Sequence, residues 1–218
     1  ANSITVVVND AFDGYYNVGG NVVTTDDELR AALNQDVENI SIVLGADLSL
    51  DVNSSRTYNI GGPKTKTITI SGIDVETRAT EPYTLTFNLK DSDWSNVITD
   101  ATLVLKDLNI KTSGYNTGHW KRTHLNFNCD VELYNVTSTP IELGGNSVVK
   151  NLTINNAYTN TYALWIGTRG QVINIDGLVV NSAEDDNRGI KIADEDREEK
   201  SVTLNIKNAE FNTAKKAA

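Results

Sequence analysis

Hydrophobic and polar residues alternate with a period of two over much of the chain, which is the pattern of half-buried β-strands. The first clear strands lie at 40–44 and 48–50, where serines separate the apolar side chains. Such runs continue to the last residues of the sequence. The chain is therefore predicted to be all-β apart from one short segment near its start.

That segment has the period of a helix. Thr25 and Glu28 have the spacing of a capping box, in which each side chain bonds to the other residue's backbone N–H. An apolar stripe follows with the i, i+3, i+4 spacing of one helical face, formed by Leu29, Ala32 and Leu33. We predict one helix over about residues 25–36.

A longer motif recurs six times and is the most informative feature of the sequence. An apolar-x-apolar run reaches an Asn, Asp or Gly, and the alternation then changes phase. A left-handed residue bends a strand in this way and keeps the apolar set on the inner side of the bend. These bend positions are Gly72, Asp107, Asn135, Asn151, Gly177 and Asn208.

Successive bend positions lie 35, 28, 16, 26 and 31 residues apart. Solenoid repeats of about 20–45 residues have this kind of spacing. We therefore predict parallel strands wound into a β-helix, a solenoid whose turns differ in length. The domain is expected to span residues 22–218, after an N-terminal extension or strand at 1–21.

The two ends of such a solenoid expose core and unpaired backbone. We expect the helix to act as a cap on the N-terminal end. At the other end, Ala217 and Ala218 resemble the start of another inward-facing strand and no closing element follows. We expect the solenoid to be truncated there, or its last coil to be covered by another protein or another copy of the chain.

The helix, the strand after it and endings such as Lys-Asn-Leu-Thr-Ile resemble the right-handed parallel β-helix, pectin-lyase-like superfamily. The runs 162–166, 188–192 and 203–211 are similar to uncharacterised surface β-helix proteins of anaerobic gut bacteria. Asp185-Asp186 and Arg188-Gly-Ile-Lys191 are similar to two polygalacturonase motifs, but the Gly-His pair precedes them instead of following them. No catalytic residue is assigned from this resemblance.

Composition narrows the class of protein. The 218 residues carry a net charge of −10, with lysines and arginines scattered among the acids, which argues against a nucleic-acid partner. No apolar run approaches the ~20 residues that cross a membrane as a helix. The single cysteine, Cys129, cannot form an intramolecular disulfide and is expected to be a small buried side chain. We expect a secreted or cell-surface protein.

One segment concentrates aromatic rings and cations in this acidic chain. Tyr115, His119, Trp120, Lys121 and Arg122 lie within eight residues in an expected turn. Aromatic faces suit sugar rings, and adjacent cations suit a uronate or sulfate group. These five residues are the predicted ligand-binding site, with a packed, solvated turn as the alternative.

A second acidic segment is a weaker candidate for binding Ca²⁺. Its carboxylates are the hard oxygen ligands that this cation takes, although basic residues lie between them. The histidines, His119 and His124, are too few for a metal site unaided. The candidate Ca²⁺ ligands are Asp185, Asp186, Asp194 and Asp196.

Three functions remain open. The leading hypothesis is a structural or adhesive surface module that binds a glycan or a protein without catalysis. The second is a polysaccharide lyase or glycoside hydrolase acting on an acidic polysaccharide. The third is the receptor-binding fibre domain of a phage.

Overall fold

The computed structural model describes residues 21–52, 56–73, 81–89, 94–113, 124–157, 162–167, 169–182, 188–192 and 201–213. Within these ranges the chain forms one helix, α1, and sixteen strands. In chain order they are β1 (Asn21–Val23), α1 (Asp26–Leu33), β2 (Asn39–Leu44), β3 (Leu48–Asp51), β4 (Thr57–Asn59), β5 (Thr67–Ser71), β6 (Thr84–Asn88), β7 (Trp94–Ile98), β8 (Thr102–Ser113), β9 (His124–Asn128), β10 (Val131–Ser138), β11 (Ile141–Leu143), β12 (Ser147–Asn156), β13 (Tyr162–Ile166), β14 (Val172–Ser182), β15 (Arg188–Ile192) and β16 (Thr203–Thr213).

The strands form two parallel sheets, and from β6 onward the chain alternates between them. The ten-stranded sheet runs β1-β2-β5-β8-β10-β12-β14-β16, with β3 and β6 paired beside this path. The six-stranded sheet runs β15-β13-β11-β9-β7-β4. The predicted β-rich, parallel architecture is confirmed.

The predicted bends are present in the long strands. Asp107, Asn135, Asn151 and Asn208 have φ between 44° and 59°, and Gly177 has φ 84°. None of these five residues is paired in the strand register. The residues before and after each bend pair with the residues before and after the bend of the adjacent strand. The phase change in the sequence therefore reports a left-handed residue, as predicted.

The first copy of the motif differs from the expectation. After Ser71 the strand stops at Gly72, and the second half of β8 pairs with β6 instead of with residues next to Gly72. A Cβ on Gly72 would lie 2.4 Å from the carbonyl oxygen of Asp107, so any other residue would collide with the neighbouring strand. The Tyr83 N–H donates to the Gly72 carbonyl at 2.7 Å and brings the chain back to the sheet.

The core is a single cluster of buried apolar side chains drawn from both sheets and from α1. Because the strands are in register, like positions stack: Leu105 pairs with Leu133, Leu133 with Val149, and Val149 with Ile175. All four are buried. Stacked aliphatic side chains of this kind supply about 1.5–3 kcal/mol each on burial.

Helix α1 spans Asp26–Leu33, three residues shorter at its end than predicted, with Thr25 as N-cap and the capping box complete. Its predicted face is buried, and it contacts β1, β2 and β3. The helix stops because the next residues bond to a loop: Lys64 N–H donates to Asp36, and the Thr65 hydroxyl donates to the Gln35 carbonyl.

The strands at the opposite ends of the sheets, β15 and β16, carry exposed apolar side chains. Phe211 is 49% exposed, whereas Val180, its partner in β14, is 1% exposed. Residues 1–20 and 214–218 lie outside the described residues, so the expected N-terminal boundary and the expected truncation stay predictions. No helix in the described ranges is long and apolar enough to cross a membrane.

Candidate functional site

Both predicted sites lie outside the described residues. This holds for the ligand candidates Tyr115, His119, Trp120, Lys121 and Arg122, and for the Ca²⁺ candidates Asp185, Asp186, Asp194 and Asp196. Among the residues that the structure does describe, no group of three or more His, Cys, Asp or Glu side chains is placed to hold a metal ion.

The structure assembles a different set of residues on the six-stranded sheet. Leu125, Ile141 and Leu164 are paired across the strands and lie in the core. Since side chains alternate along a strand, the residue after each of them faces away from the core. These positions form a continuous series in the register, here called the cross-strand row: Asn96, Asn126, Glu142, Trp165 and Lys191.

His124 joins this row from the start of β9. Its Nε2 lies 3.3 Å from Glu142 Oε2, and both side chains are largely shielded from solvent. The imidazole is stacked on the Trp165 indole, with ring centres 5.0 Å apart and planes 9° apart. The two contacts fix the ring on two sides, so Nε2 is directed at the carboxylate.

Lys191 approaches Trp165 from the other side of β13. Its Nζ lies 4.2 Å from the centre of the indole ring, a cation–π contact, and 5.6 Å from the Tyr162 ring centre. Tyr162 in turn meets the indole edge-on at 5.1 Å between ring centres. Trp165 is only 4% exposed, so it orders its neighbours and does not offer a free face to a sugar.

A second cation lies at the other end of the strands. Arg169 donates from Nη1 to the Asn128 side-chain oxygen. A Cβ on Gly144 would lie 3.1 Å from Asn126 Oδ1 and 3.3 Å from Arg169 Nη1. Glycine at position 144 therefore leaves space between the Asn126 side-chain amide and the Arg169 guanidinium.

His124 Nδ1 and Asn126 Oδ1 are buried and have no hydrogen-bond partner among the described residues. Asn126 uses its amide nitrogen to donate to Asn96 Oδ1 at 2.8 Å. Burying an unpaired polar atom costs about 1–3 kcal/mol, so both atoms are positions where a ligand hydroxyl or a water would be favourable.

Among the described residues, two cations and one carboxylate lie in or beside the row. Lys191 packs on Trp165, Arg169 bonds to Asn128, and Glu142 lies 3.3 Å from His124. Lys191, Arg169 and Tyr162 are half-buried and form the accessible rim of the site, whereas the Glu142 side chain is only 15% exposed. In a chain of net charge −10, this is a local arrangement suited to an anionic group.

Asparagines on the ten-stranded sheet also form rows, and their side chains bond to one another. Asn151 donates to Asn135 Oδ1 and Asn135 donates to Asp107 Oδ1, both at 2.9 Å. Asn212 donates to Asn181, and Asn181 donates to Asn155. These rows satisfy themselves and stabilise the stacking of strands.

A shallow cleft of about 230 Å³ lies between α1 and β4. Arg30, Asp51 and Tyr58 line it. The Tyr58 hydroxyl donates to the Asn88 carbonyl at 2.9 Å, and burial raises the pKa of this phenol. Tyr58 therefore joins β4 to β6 beside the cleft, and the cross-strand row remains the candidate site.

Sequence reasoning missed the cross-strand row because its members lie 16 to 30 residues apart and only the register aligns them. The available signal was a repeated apolar-x-apolar triplet after each bend, with Asn126, Glu142, Trp165 and Lys191 at the central position. Comparisons of the chain with family models, with curated proteins and with solved structures found no match.

Proposed function

We propose that the two parallel sheets belong to a right-handed parallel β-helix of the pectin-lyase-like type. The support is the parallel pairing, the alternation of the chain between two sheets from β6 onward and the left-handed residue at five of the six bends. Irregular spacing of the bends then corresponds to coils whose loops differ in length.

On that scaffold we infer a secreted or cell-surface module with an adhesive role, which binds an acidic glycan without catalysis. The observation that carries this function is the cross-strand row, where Lys191 and Arg169 accompany a single carboxylate. Guanidinium and ammonium groups bind carboxylates and sulfates through charge-assisted hydrogen bonds.

The parts of the site suit different atoms of such a glycan. Lys191 and Arg169 would bind its anionic groups, while His124 Nδ1 and Asn126 Oδ1 would accept hydrogen bonds from hydroxyls. Trp165 holds the imidazole and the ammonium group in place. Because these groups lie on adjacent parallel strands, their spacing follows the repeat of about 4.8 Å between strands.

Binding to polygalacturonate, a sulfated glycan and neutral galactan tests this function. We expect the acidic polymers to bind and the neutral one to fail, with Lys191→Gln and Arg169→Gln each weakening affinity about tenfold. Lys111→Gln removes an exposed lysine from β8, away from the row, and is the matched control. Equal binding by all three variants, or binding of the neutral polymer alone, contradicts the proposal.

One observation favours the enzymatic alternative. Glu142 bonds to His124 Nε2, which leaves Nδ1 as the basic nitrogen, a pairing that general bases use. Hydrolysis of glycosides requires two carboxylates about 5–9.5 Å apart, and the row contains only Glu142. Elimination from a uronate needs only a base and a cation beside the carboxylate, so lyase chemistry fits better than hydrolysis.

The two functions give different results with the same polymers. A lyase would take the C5 proton of a uronate onto His124, form the C4–C5 double bond and break the C4–O bond, and the leaving oxygen would take a proton from water. The unsaturated uronate that results absorbs in the ultraviolet. His124→Gln would abolish that product while leaving binding within a few-fold. We expect binding and no unsaturated product, and turnover on any acidic polymer would establish the enzymatic alternative instead.

A further inference from the structure

Strand β16 is the edge of the ten-stranded sheet among the strands that the structure describes. Among the described strands it pairs only with β14, and its outer backbone edge faces away from that partner. Leu204 and Ile206 are half-buried, and Phe211 is 49% exposed. The residues of β14 that pair with these three side chains are all buried.

Among the described strands, β15 is likewise the last strand of the six-stranded sheet at the same end. Ile192 in β15 is 52% exposed, whereas its partner Ile166 in β13 is fully buried. The two sheets therefore expose core positions side by side. The other end of the sheets differs, because α1 packs on β1, β2 and β3 there.

We propose that this end binds the same end of a second copy of the chain, through antiparallel pairing of the two β16 strands. The pairing sets Ile206 opposite Phe211 of the second copy and Lys207 opposite Glu210 of the second copy. By two-fold symmetry each of these pairs occurs twice. The interface is self-complementary, as a two-fold interface between identical chains must be.

The left-handed residue Asn208 selects this register. Before it the inward residues are even-numbered, Leu204 and Ile206, and after it they are odd-numbered, Ala209 and Phe211. In an antiparallel pair of two β16 strands, an inward residue therefore lies opposite another inward residue only when one has an even number and the other an odd number. The register centred beside the bend, in which paired numbers add to 417, sets residues 204–213 of one copy opposite residues 213–204 of the other.

Charge and hydrogen bonding agree with the same register. Exposed Lys207 and exposed Glu210 lie on the outward face, so the register forms two cross-strand pairs of opposite charge. Asn205 lies opposite Asn212 of the second copy. These two residues end the asparagine rows through Asn174 and Asn181, so the amide bonding of the rows would continue across the interface.

A head-to-tail stack is less favourable than this two-fold arrangement. It would bring β16 against β1, the edge strand beside α1 at the other end of the ten-stranded sheet. The described part of β1 is only three residues long, so it offers β16 a much shorter edge than a second β16 does. In the two-fold arrangement, the backbone edges of the two β16 strands pair with each other, so the assembly closes at two copies. Further edge-to-edge growth, which unpaired strands promote, is then prevented.

Sedimentation of the 218-residue chain over a range of concentrations tests the proposal by charge reversal. We expect a dimer, with Lys207→Glu and Glu210→Lys each weakening it about tenfold because like charges then face each other twice. The double variant, Lys207→Glu with Glu210→Lys, restores opposite charges and should recover the dimer. Lys111→Glu has the same charge change on an inner strand and should leave the dimer unchanged.

Several outcomes overturn it. These are a monomer at all concentrations, a trimer, single variants that dimerise like the parent chain, and a double variant no stronger than the singles. Circular dichroism of each variant shows whether it is folded. The charge-reversal positions Lys207 and Glu210 lie on β16 and outside the cross-strand row, so loss of the dimer and loss of glycan binding are tested with different variants.

Discussion

Single residues in a left-handed conformation decide where each long strand bends. A non-glycine residue pays about 1–2 kcal/mol there, and asparagine offsets part of this through its side-chain hydrogen bonds. Asn135 shows both effects, with φ 53°, a bond donated to Asp107 and a bond accepted from Asn151. Asparagine therefore suits the bend in two ways: it tolerates the left-handed backbone conformation, and its side-chain amide bonds to the adjacent strands.

Substitution at Asn135 separates these two contributions. Asn135→Gly loses the amide bonds but keeps the backbone relaxed, whereas Asn135→Ala loses the bonds and adds strain. We expect alanine to lower the free energy of unfolding by about 1 kcal/mol more than glycine does, measured by urea denaturation. At Asn155, in the regular part of β12, the order should reverse because glycine weakens a strand. The same order at both positions would refute this explanation.

Burial at the residue scale also determines thiol chemistry. Cys129 is buried, and desolvation, with a smaller effect from Asp130, raises the pKa of its thiol to about 12. Since the thiolate is the reactive form, we expect no reaction with a disulfide reagent at about pH 8 until guanidinium unfolds the chain. Rapid labelling of the folded protein would show that Cys129 is accessible.

At the scale of elements, the helix and the strands are specified by different signals. The capping box at Thr25 and Glu28 marks the start of α1 in the sequence because its bonds are local. The end of α1 depends on Lys64 and Thr65, which bond to residues 35 and 36 from a loop almost thirty residues away. Local patterns therefore predicted the start better than the end.

The capping box should weaken in acid. The Thr24 N–H, with further bonds from Thr24 and Thr25, lowers the pKa of Glu28 below its usual 4.5. The carboxylate therefore stabilises the folded state above about pH 4.5, and this contribution disappears as the pH falls through the lowered pKa. We expect the fall in Tm between about pH 6 and pH 3 to be smaller in Glu28→Gln. Glu38→Gln, an exposed position beyond α1, is the control. Identical falls in Glu28→Gln and the parent chain would exclude this role.

The fold was predictable from local sequence patterns, whereas the candidate site depends on residues that are distant in the sequence. The bends and the inward residues were predictable because each copy of the motif contains its own phase change. The contact of His124 with Trp165 was not, because it joins β9 to β13 across an intervening strand. Its position depends on loop lengths, which residue patterns do not reveal.

At the scale of the whole molecule, stability should vary along the stack of strands. β10 and β12 have paired neighbours on both sides, whereas β16 has one among the described strands. We expect hydrogen exchange to be slowest in peptides from 131–156 and fastest in 203–213. Raising the protein concentration should slow exchange in 203–213 alone, if the second copy pairs there. Uniform exchange rates would show that the stack opens as one unit.

The bend beside Gly72 has a consequence for how this fold can change. Between β5 and β6 the chain leaves the sheet at Gly72 and returns at Tyr83, while β8 covers the same interval with Asp107 and Leu108. One hydrogen bond, from Tyr83 to Gly72, closes the excursion without disturbing the strands on either side. Bends are thus natural insertion points, where evolution or an engineer can add a peptide to one coil while every neighbouring coil keeps its register.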